Sequence, residues 1–337
     1  MKNKYVVILG AGRGSRMESR DPEHSKVAYP ILGKPLINYV IDACKPLGLA
    51  DIFTVVGYGG KVTEECVKND SKVVWQHEIL GTGHALMQVK ELADKEGDII
   101  VVSGDVPLLT TQTLRKVYHK HEKGNNALTI CTSVLEDPTG YGRVIREKGS
   151  YRLLDIREDL DCDREEKEIT EINAGIYILD NKLLQQYLPK LSNNNAKHEY
   201  YLSELVKLFN DAGEKVDSYV LEDALDIYCV SDRNQLAYAA KKIRKRVNKK
   251  LMLSGVSIED PDTTYISPDV RIGKDTVIMP NTTIFGNSVI GEANWIGPNT
   301  SLLNVKMGND NHVSNSILEN VQLKDNEFVG PFANLRK

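Results

Sequence analysis

No run of apolar residues in this 337-residue chain is long enough to cross a membrane. The first apolar run, Tyr5 to Leu9, leads straight into a glycine-rich loop with no small-residue cleavage site. It therefore reads as a strand rather than a signal peptide. Cysteine is sparse and scattered. The five residues (Cys44, Cys66, Cys131, Cys162, Cys229) are odd in number and form no C-x-x-C pair, so neither a zinc cage nor a disulfide framework is suggested. A reducing cytoplasm is the expected setting. Neither sign of charge dominates: 43 basic residues face 47 acidic ones, and a net charge of −4 argues against general nucleic-acid binding. What is present is ordinary for a globular chain, 41% hydrophobic and 27% charged, and long enough for two domains with a substantial core.

The glycine-rich loop "LGAGRGSRM", Leu9 to Met17, follows the strand "YVVIL". Such turns present backbone N–H groups to phosphate. A dinucleotide fingerprint would need a third glycine where Ser15 stands, and an acid after the second strand, where Gly57-Tyr58-Gly59-Gly60 stands. A P-loop would need a lysine in fixed spacing, which counting from either Gly10 or Gly12 fails to find. A third kind of loop remains, with glycines for close backbone approach and Arg13 and Arg16 for charge. The competing reading is a tight strand-to-helix turn whose arginines are merely solvated.

Up to about residue 230, strand candidates alternate with helical stretches. "YVVIL", "IFTVV", "KVVWQ", "IIVVSGD", "ALTICTSV" and "INAGIYIL" alternate with segments such as "LINYVIDACKPLG" and "TGHALMQVKELADK". This predicts an open, mostly parallel sheet covered by helices. After residue 254 the period becomes six, through Ile266, Ile272, Ile278, Ile284, Ile290, Ile296 and Leu302, with Met307-Gly308 resuming it after a one-residue slip. That period fits a β-solenoid, each short strand forming one side of a triangular coil. Between the halves lies a helical stretch with seven basic residues from Lys241 to Lys250. It reads as a solvated face, with anion binding or an interface as the alternative.

Candidate chemistry collects at strand ends. "IIVVSGD" ends in Gly104-Asp105, and open α/β sheets bind ligands at the carboxyl ends of their strands. Asp105 beside polyphosphate suits Mg2+, which takes one or two carboxylates plus phosphate oxygens, although an aspartate before Pro107 also suits a plain turn. Lys26 stands a short way beyond the arginine loop as either a surface lysine or a third positive charge. In "QHEILGTGHAL", Gln76 and Gly81-Thr82-Gly83 offer an amide and a glycine turn that would read a base edge, a weak pattern on its own.

The segments "LGAGRGSRM", "SKVAYPILGKPLINYVID", "QHEILGTGHAL", "GDVPLL", "TGYGRVIRE", "EINAGIY", "NNNAKHEYYLSEL" and the isoleucine hexads stand in this order. Together they resemble the bacterial N-acetylglucosamine-1-phosphate uridyltransferases over nearly the whole chain. The resemblance implies a Rossmann-like α/β nucleotidyltransferase domain with a mostly parallel sheet over 1–230, a linking helix over 231–254, and a short left-handed parallel β-helix over 255–337. It implies the reaction UTP + N-acetylglucosamine 1-phosphate → UDP-N-acetylglucosamine + pyrophosphate, with Mg2+ as cofactor and a homotrimer as the favoured assembly. By the same resemblance, Leu9, Gly10, Ala11 and Gly12 form the nucleotide loop, Arg16 and Lys26 are the phosphate-neutralising cations, Gln76, Gly81 and Thr82 contact uracil, Gly104 binds substrate, Asp105 is the magnesium aspartate, and Gly142 and Asn173 lie on the sugar side.

Three positions depart from the family pattern. Its second metal ligand is an asparagine in "V-N-x-R", where this chain reads Val230-Ser231-Asp232-Arg233. Ser231 is a poor ligand, leaving Asp232 or water to substitute. Its sugar-binding glutamate corresponds to Asp155 or Glu158, with Glu158 favoured by ungapped counting back from Asn173. The solenoid is also shorter than in bifunctional members, so acetyl transfer from acetyl-CoA is not expected. The rival readings are another sugar-1-phosphate nucleotidyltransferase, against which "NNNAKHEYYLSEL" weighs, and a non-catalytic regulatory or assembly relative, which only Ser231 supports.

Overall fold

A computed structural model describes residues 2–21 and 24–337 of the chain. It divides into two compact units, one of residues up to Tyr29 with Pro35–Gln235, the other of Pro30–Lys34 with Leu236–Lys337.

The first unit is built on strands β1 (Lys4–Leu9), β2 (Asp51–Val56), β3 (Lys72–Trp75), β4 (Asp98–Ser103), β5 (Leu128–Val134), β6 (Arg143–Arg146), β7 (Leu153–Arg157), β8 (Glu171–Asp180) and β9 (Val216–Val220). The main sheet runs β9-β5-β8-β4-β1-β2-β3. β1 lies parallel between β2 and β4, and unbroken apolar runs suit them because both faces of the sheet are covered. The helices are α1 (Leu36–Cys44), α2 (Gly60–Val67), α3 (Thr82–Met87), α4 (Thr111–Gly124), α5 (Asn181–Tyr187), α6 (Glu204–Asp211) and α7 (Arg233–Leu253). Helix α1 buries Leu36, Ile37, Val40, Ile41 and Cys44, the apolar stripe of one helical face. Because β4 lies on one side of β1 and β2 on the other, the chain direction across the sheet reverses there. The loops after β1 and β4 therefore open onto one crevice.

Two features differ from the strand-and-helix alternation read in the sequence. β8 is antiparallel to both β4 and β5, and β6 and β7 form an antiparallel pair beside it. These short, partly polar strands lack a strong apolar run of their own. The stretch "TGHALMQVKELADK" is also not one helix. It forms only α3 (Thr82–Met87), then a separate short turn at Lys90–Leu92, because Val89 leaves helical geometry with ψ 68°.

In the second unit the hexad residues stack. Ile266, Ile284, Leu302 and Leu318 pair in one sheet; Ile278, Ile296, Val313 and Val329 in a second; Ile272, Ile290, Met307 and Leu323 in a third. The fold is a left-handed parallel β-helix with these side chains inside. Ile258 pairs with Ile278, Ile266 with Ile284, Leu302 with Leu318 and Leu318 with Leu335, so successive coils differ in the number of corner residues they contain. Asn281, Asn299, Asn304, Asn315, Asn320 and Asn326 hold positive φ at corners, a conformation asparagine tolerates better than most residues. Their amides also ladder between coils, Asn304 Nδ2 donating to Asn320 Oδ1 at 3.0 Å.

The helix between the halves is α7, Arg233–Leu253. From Leu236 on it groups with the second unit, in which Arg244 donates to Asp262 at 2.7 Å and Asn248 to the Pro261 carbonyl at 2.9 Å. Of the seven basic residues from Lys241 to Lys250, Arg244 is the one buried, and most of the others face solvent.

Candidate active site

The glycine loop is held open by few bonds. Gly10 donates to the Val55 carbonyl at 2.8 Å, and the Ala11 carbonyl accepts from Tyr58 at 3.2 Å. The N–H groups of Ala11, Gly12 and Arg13 have no partner among the described residues. Only a single turn, Ser15–Met17, follows the loop, so no long helix dipole aids anion binding here. The charge comes from side chains. Gly14 sits at φ 60°, where a side chain would begin 2.5 Å from Lys26 Cβ, and this close approach brings Lys26 up to the loop.

A cavity of about 610 Å³ opens at this point. Its walls include Leu9, Gly10, Ala11, Gly12, Arg16, Lys26, Gln76, Gly81, Thr82 and Asp105, ten of the residues named from the sequence, together with Arg13. Asp105 follows β4 and Gly104, whose N–H donates to the Leu9 carbonyl at 2.9 Å. One carboxylate oxygen of Asp105, Oδ2, accepts from the Lys26 ammonium and from the Cys229 thiol, the latter at 3.2 Å. The other, Oδ1, is buried and unpartnered. Burial opposes both charges, yet each holds the other ionised. Asp105 lies below its ordinary carboxylate range and Lys26 above the ordinary lysine value. Burial, with Asp105 beside it, pushes the Cys229 thiol up to about 12, so at neutral pH it is a hydrogen-bond donor and not a nucleophile.

Ser231 and Asp232 part company. Ser231 is buried with its hydroxyl 3.3 Å from Cys229 Sγ, beside the Asp105 cluster. Asp232 Oδ1 instead accepts from the Gln235 N–H at 2.7 Å, which makes it the N-terminal cap of α7. One oxygen of Asp232 is thereby given to capping, because the first-turn N–H groups of a helix need an acceptor. Nor does it line the cavity.

On the opposite wall, Gln76 is 2% exposed and its Nε2 donates to the Gly81 carbonyl at 3.1 Å, leaving Oε1 without a partner among the described residues. Thr82 opens α3 and its hydroxyl accepts from the Leu202 N–H at 3.0 Å. Tyr200 clamps this wall, its N–H donating to Leu80 and its carbonyl accepting from Gly83, both at 2.7 Å.

Gly142, Glu158 and Asn173 form a neighbouring cluster and do not line the cavity itself. Asn173 donates through its backbone to the Gly142 carbonyl at 2.8 Å, and Glu158 Oε1 accepts from the Ser203 hydroxyl at 2.7 Å. A side chain at Gly142 would begin 3.3 Å from Glu158 Oε1. Asp155 is turned to other work, accepting from Ile156 N–H at 2.8 Å and Arg157 at 3.3 Å. Geometry thus groups Glu158, not Asp155, with Gly142. Lys197 and Glu199 join the two regions: both line the cavity and both act on the charge of Glu158.

Burial raises the Glu158 carboxyl above its ordinary 4.5, with Ser203 and Lys197 offsetting only part of that. A raised carboxyl binds protons more tightly in the folded protein, so stability is greatest below the unfolded value and falls as pH rises through the folded one. Glu158→Gln should therefore raise the unfolding temperature at pH 7 to 8, with the gain vanishing below pH 4.5. Melting curves across that range decide it, and a variant less stable at pH 8 would show the carboxylate to be favourably held.

Cys229, Ser203, Lys197 and Glu199 were not singled out from sequence. A cysteine two residues before Ser231 in "YCVSDR" was the available signal for the first, and the quoted stretch "NNNAKHEYYLSEL" contained the other three.

Residues 6–173 match the family model of the MobA-like NTP transferase domain. Over 336 residues the chain is 41% identical to the bifunctional protein GlmU of Thermoanaerobacter pseudethanolicus, covering 100% of this chain and 72% of that protein. The bifunctional protein GlmU of Fervidobacterium nodosum is 42% identical over 332 residues (98% and 71%), and that of Halalkalibacterium halodurans 40% over 338 (100% and 73%). By the family model and these full-length matches, the chain belongs to the GlmU family and is a nucleotidyltransferase, a UDP-N-acetylglucosamine pyrophosphorylase.

Proposed function

We propose that the cavity binds UTP with its phosphates on the Leu9–Gly12 loop and its base between Gln76, Gly81 and Thr82, while N-acetylglucosamine 1-phosphate lies among Gly142, Glu158 and Asn173. The observation that carries this reading is the set of three unpartnered N–H groups, Ala11, Gly12 and Arg13, beside Arg16 and Lys26. Backbone donors and cations converging on one loop suit a polyphosphate. The free Oε1 of Gln76 suits an imide N–H such as that of uracil.

In this reading an oxygen of the sugar phosphate attacks the α-phosphorus of UTP. A P–O bond forms, the bond to the β-phosphate breaks, and pyrophosphate leaves in line. No protein nucleophile is required, and the protonated Cys229 supplies none. Arg16 and Lys26 take up the charge that grows on the leaving phosphates, and the loop holds the reacting groups in line.

The NTP transferase family uses a divalent metal. Asp105 Oδ1 fits one, being a buried, unpartnered carboxylate oxygen next to the phosphate loop. Among the described residues no group of three or more His, Cys, Asp or Glu forms a closed cage. One carboxylate plus phosphate oxygens is the ligand set of Mg2+, which when bound would neutralise and orient the phosphates. Ser231 stands beside the site as a neutral oxygen, while Asp232 has one carboxylate oxygen engaged at the start of α7.

The test is pyrophosphate release from a panel of nucleoside triphosphates and sugar 1-phosphates, with and without Mg2+. Release should be fastest with UTP and N-acetylglucosamine 1-phosphate, and should require the metal. Equal rates with glucose or mannose 1-phosphate would hand the chain to the broader nucleotidyltransferase reading, and no release at all to the non-catalytic one.

A homotrimer and a cytoplasmic setting complete the reading. The partly exposed apolar residues Val289, Trp295, Ile317 and Phe328 on the β-helix support self-association. No helix among the described residues is long and apolar enough to cross a membrane. Light scattering should give three times the 37.7 kDa chain mass.

A further inference from the structure

Asp105 is already neutralised before any ligand arrives. Lys26 and Asp105 form an ion pair in which each side chain is only 14% exposed. The pair is braced on both sides. Lys26 stands on the short helix Lys26–Ala28 against Gly14, and the Asp105 carbonyl accepts from Val230 N–H at 2.9 Å, which brings Cys229 onto the same carboxylate oxygen.

A divalent cation placed against this carboxylate would meet a fixed ammonium in a site largely removed from water. Like charges repel strongly there, because little solvent screens them. Arg16 adds to the same positive field, acting directly on the charge of Lys26. A triphosphate on the adjoining loop reverses the balance. It offers Lys26 and Arg16 a better partner and leaves Asp105 free to face the metal.

Resting on the assignment of Asp105 as the metal carboxylate, we propose that the Lys26–Asp105 pair is a gate that withholds the metal site until a nucleotide polyphosphate occupies the loop. Lys26 then has two successive partners, the aspartate in the free protein and phosphate in the complex. Metal and nucleotide enter as coupled ligands, each strengthening the other by the same factor.

The test reads metal binding to the nucleotide-free, full-length protein, with Mn2+ as the probe and free Mn2+ measured by electron paramagnetic resonance. Lys26→Met should bind Mn2+ at least about tenfold more tightly than wild type, although it loses turnover. Lys26→Arg, which keeps the charge, should bind no better than wild type. Lys26→Met combined with Asp105→Asn should lose the gain, which locates it at this carboxylate. Should Lys26→Met not fold, Lys26→Gln serves as the neutral, polar replacement. Unchanged Mn2+ affinity in the neutral variants, or a gain that survives Asp105→Asn, would overturn the gate. Full metal-dependent turnover in Asp105→Asn alone would instead overturn the metal assignment on which the gate rests.

Discussion

Asp105→Asn should lower metal-dependent turnover by about two to three orders of magnitude or more, the scale seen when one preorganised electrostatic group is removed from a reacting phosphate or oxyanion. The amide keeps the size and one acceptor oxygen, so the strand end and the Val230 contact survive. What disappears is the charge that both a metal and Lys26 require. The ammonium is left mostly buried without its counter-ion, and breaking such a pair costs about 3 kcal/mol, roughly a 10 °C lower unfolding midpoint for a unit of this size. The carboxyl of Asp105 lies below its ordinary value of 3.8, so the pair contributes in full above that value and is lost as pH falls through the lower folded value. The stability gap between wild type and variant should therefore be widest near neutral pH, close in strong acid, and close again in strong base as Lys26 loses its proton. Steady-state kinetics with melting curves check both parts. Wild-type turnover in a folded variant would remove Asp105 from the reaction.

Gly81→Ala should be the most damaging small substitution in the wall proposed to hold the base. Gly81 sits at φ 104°, ψ 175°, a backbone region closed to residues with a side chain, and an added Cβ would lie 2.6 Å from the Tyr200 carbonyl oxygen. That carbonyl is the acceptor for Gly83 N–H, so neither side of the clamp has room to yield. Either the Tyr200 segment separates from residues 80–83, or the Gly81 peptide turns and takes its carbonyl away from Gln76. Both routes displace the Gln76 amide proposed to read the base. The expected result is a KM for UTP raised by about tenfold or more, with a loss of a few kcal/mol in stability. Gly12→Ala is the informative companion, because a Cβ there meets nothing within 4 Å. It should melt like wild type, and any effect on UTP must come from crowding the phosphate. An unchanged KM in Gly81→Ala would show that this wall does not touch the nucleotide.

These two glycines show where local reading stops. "LGAGRGSRM" suggests a phosphate loop, with a tight turn and solvated arginines as the alternative, and in the fold the N–H groups of Ala11, Gly12 and Arg13 stand without partners among the described residues. "GTG" before a helix carries no such message. Gly81 is demanded by the backbone of Tyr200, more than a hundred residues away, and no local spacing records that contact. The same holds for Lys26. From the sequence it is either a surface lysine or a phosphate ligand, whereas in the fold it is the buried counter-ion of Asp105. Asp232 went the other way: its place next to Ser231 suggested a metal ligand, and the first turn of α7 claimed it as a cap.

Periodicity and order along the chain were sufficient, without any coordinates, for the alternating α/β unit, the β-helix and the family. Those features are written as repeated local patterns: apolar runs that must be buried on both faces, isoleucines at every sixth residue that must stack, and motifs whose order survives in one dimension. The reversed direction of β8, the β6–β7 pair and the early stop of α3 depended on long-range pairing and were decided only in three dimensions. So were the charges of the site. Whether Asp105 is a turn residue or a metal carboxylate, and whether Cys229 is a thiol or a nucleophile, depends on burial and on which groups the crevice brings together, because desolvation and neighbouring charge set ionisation and neither is a property of a residue in its own segment.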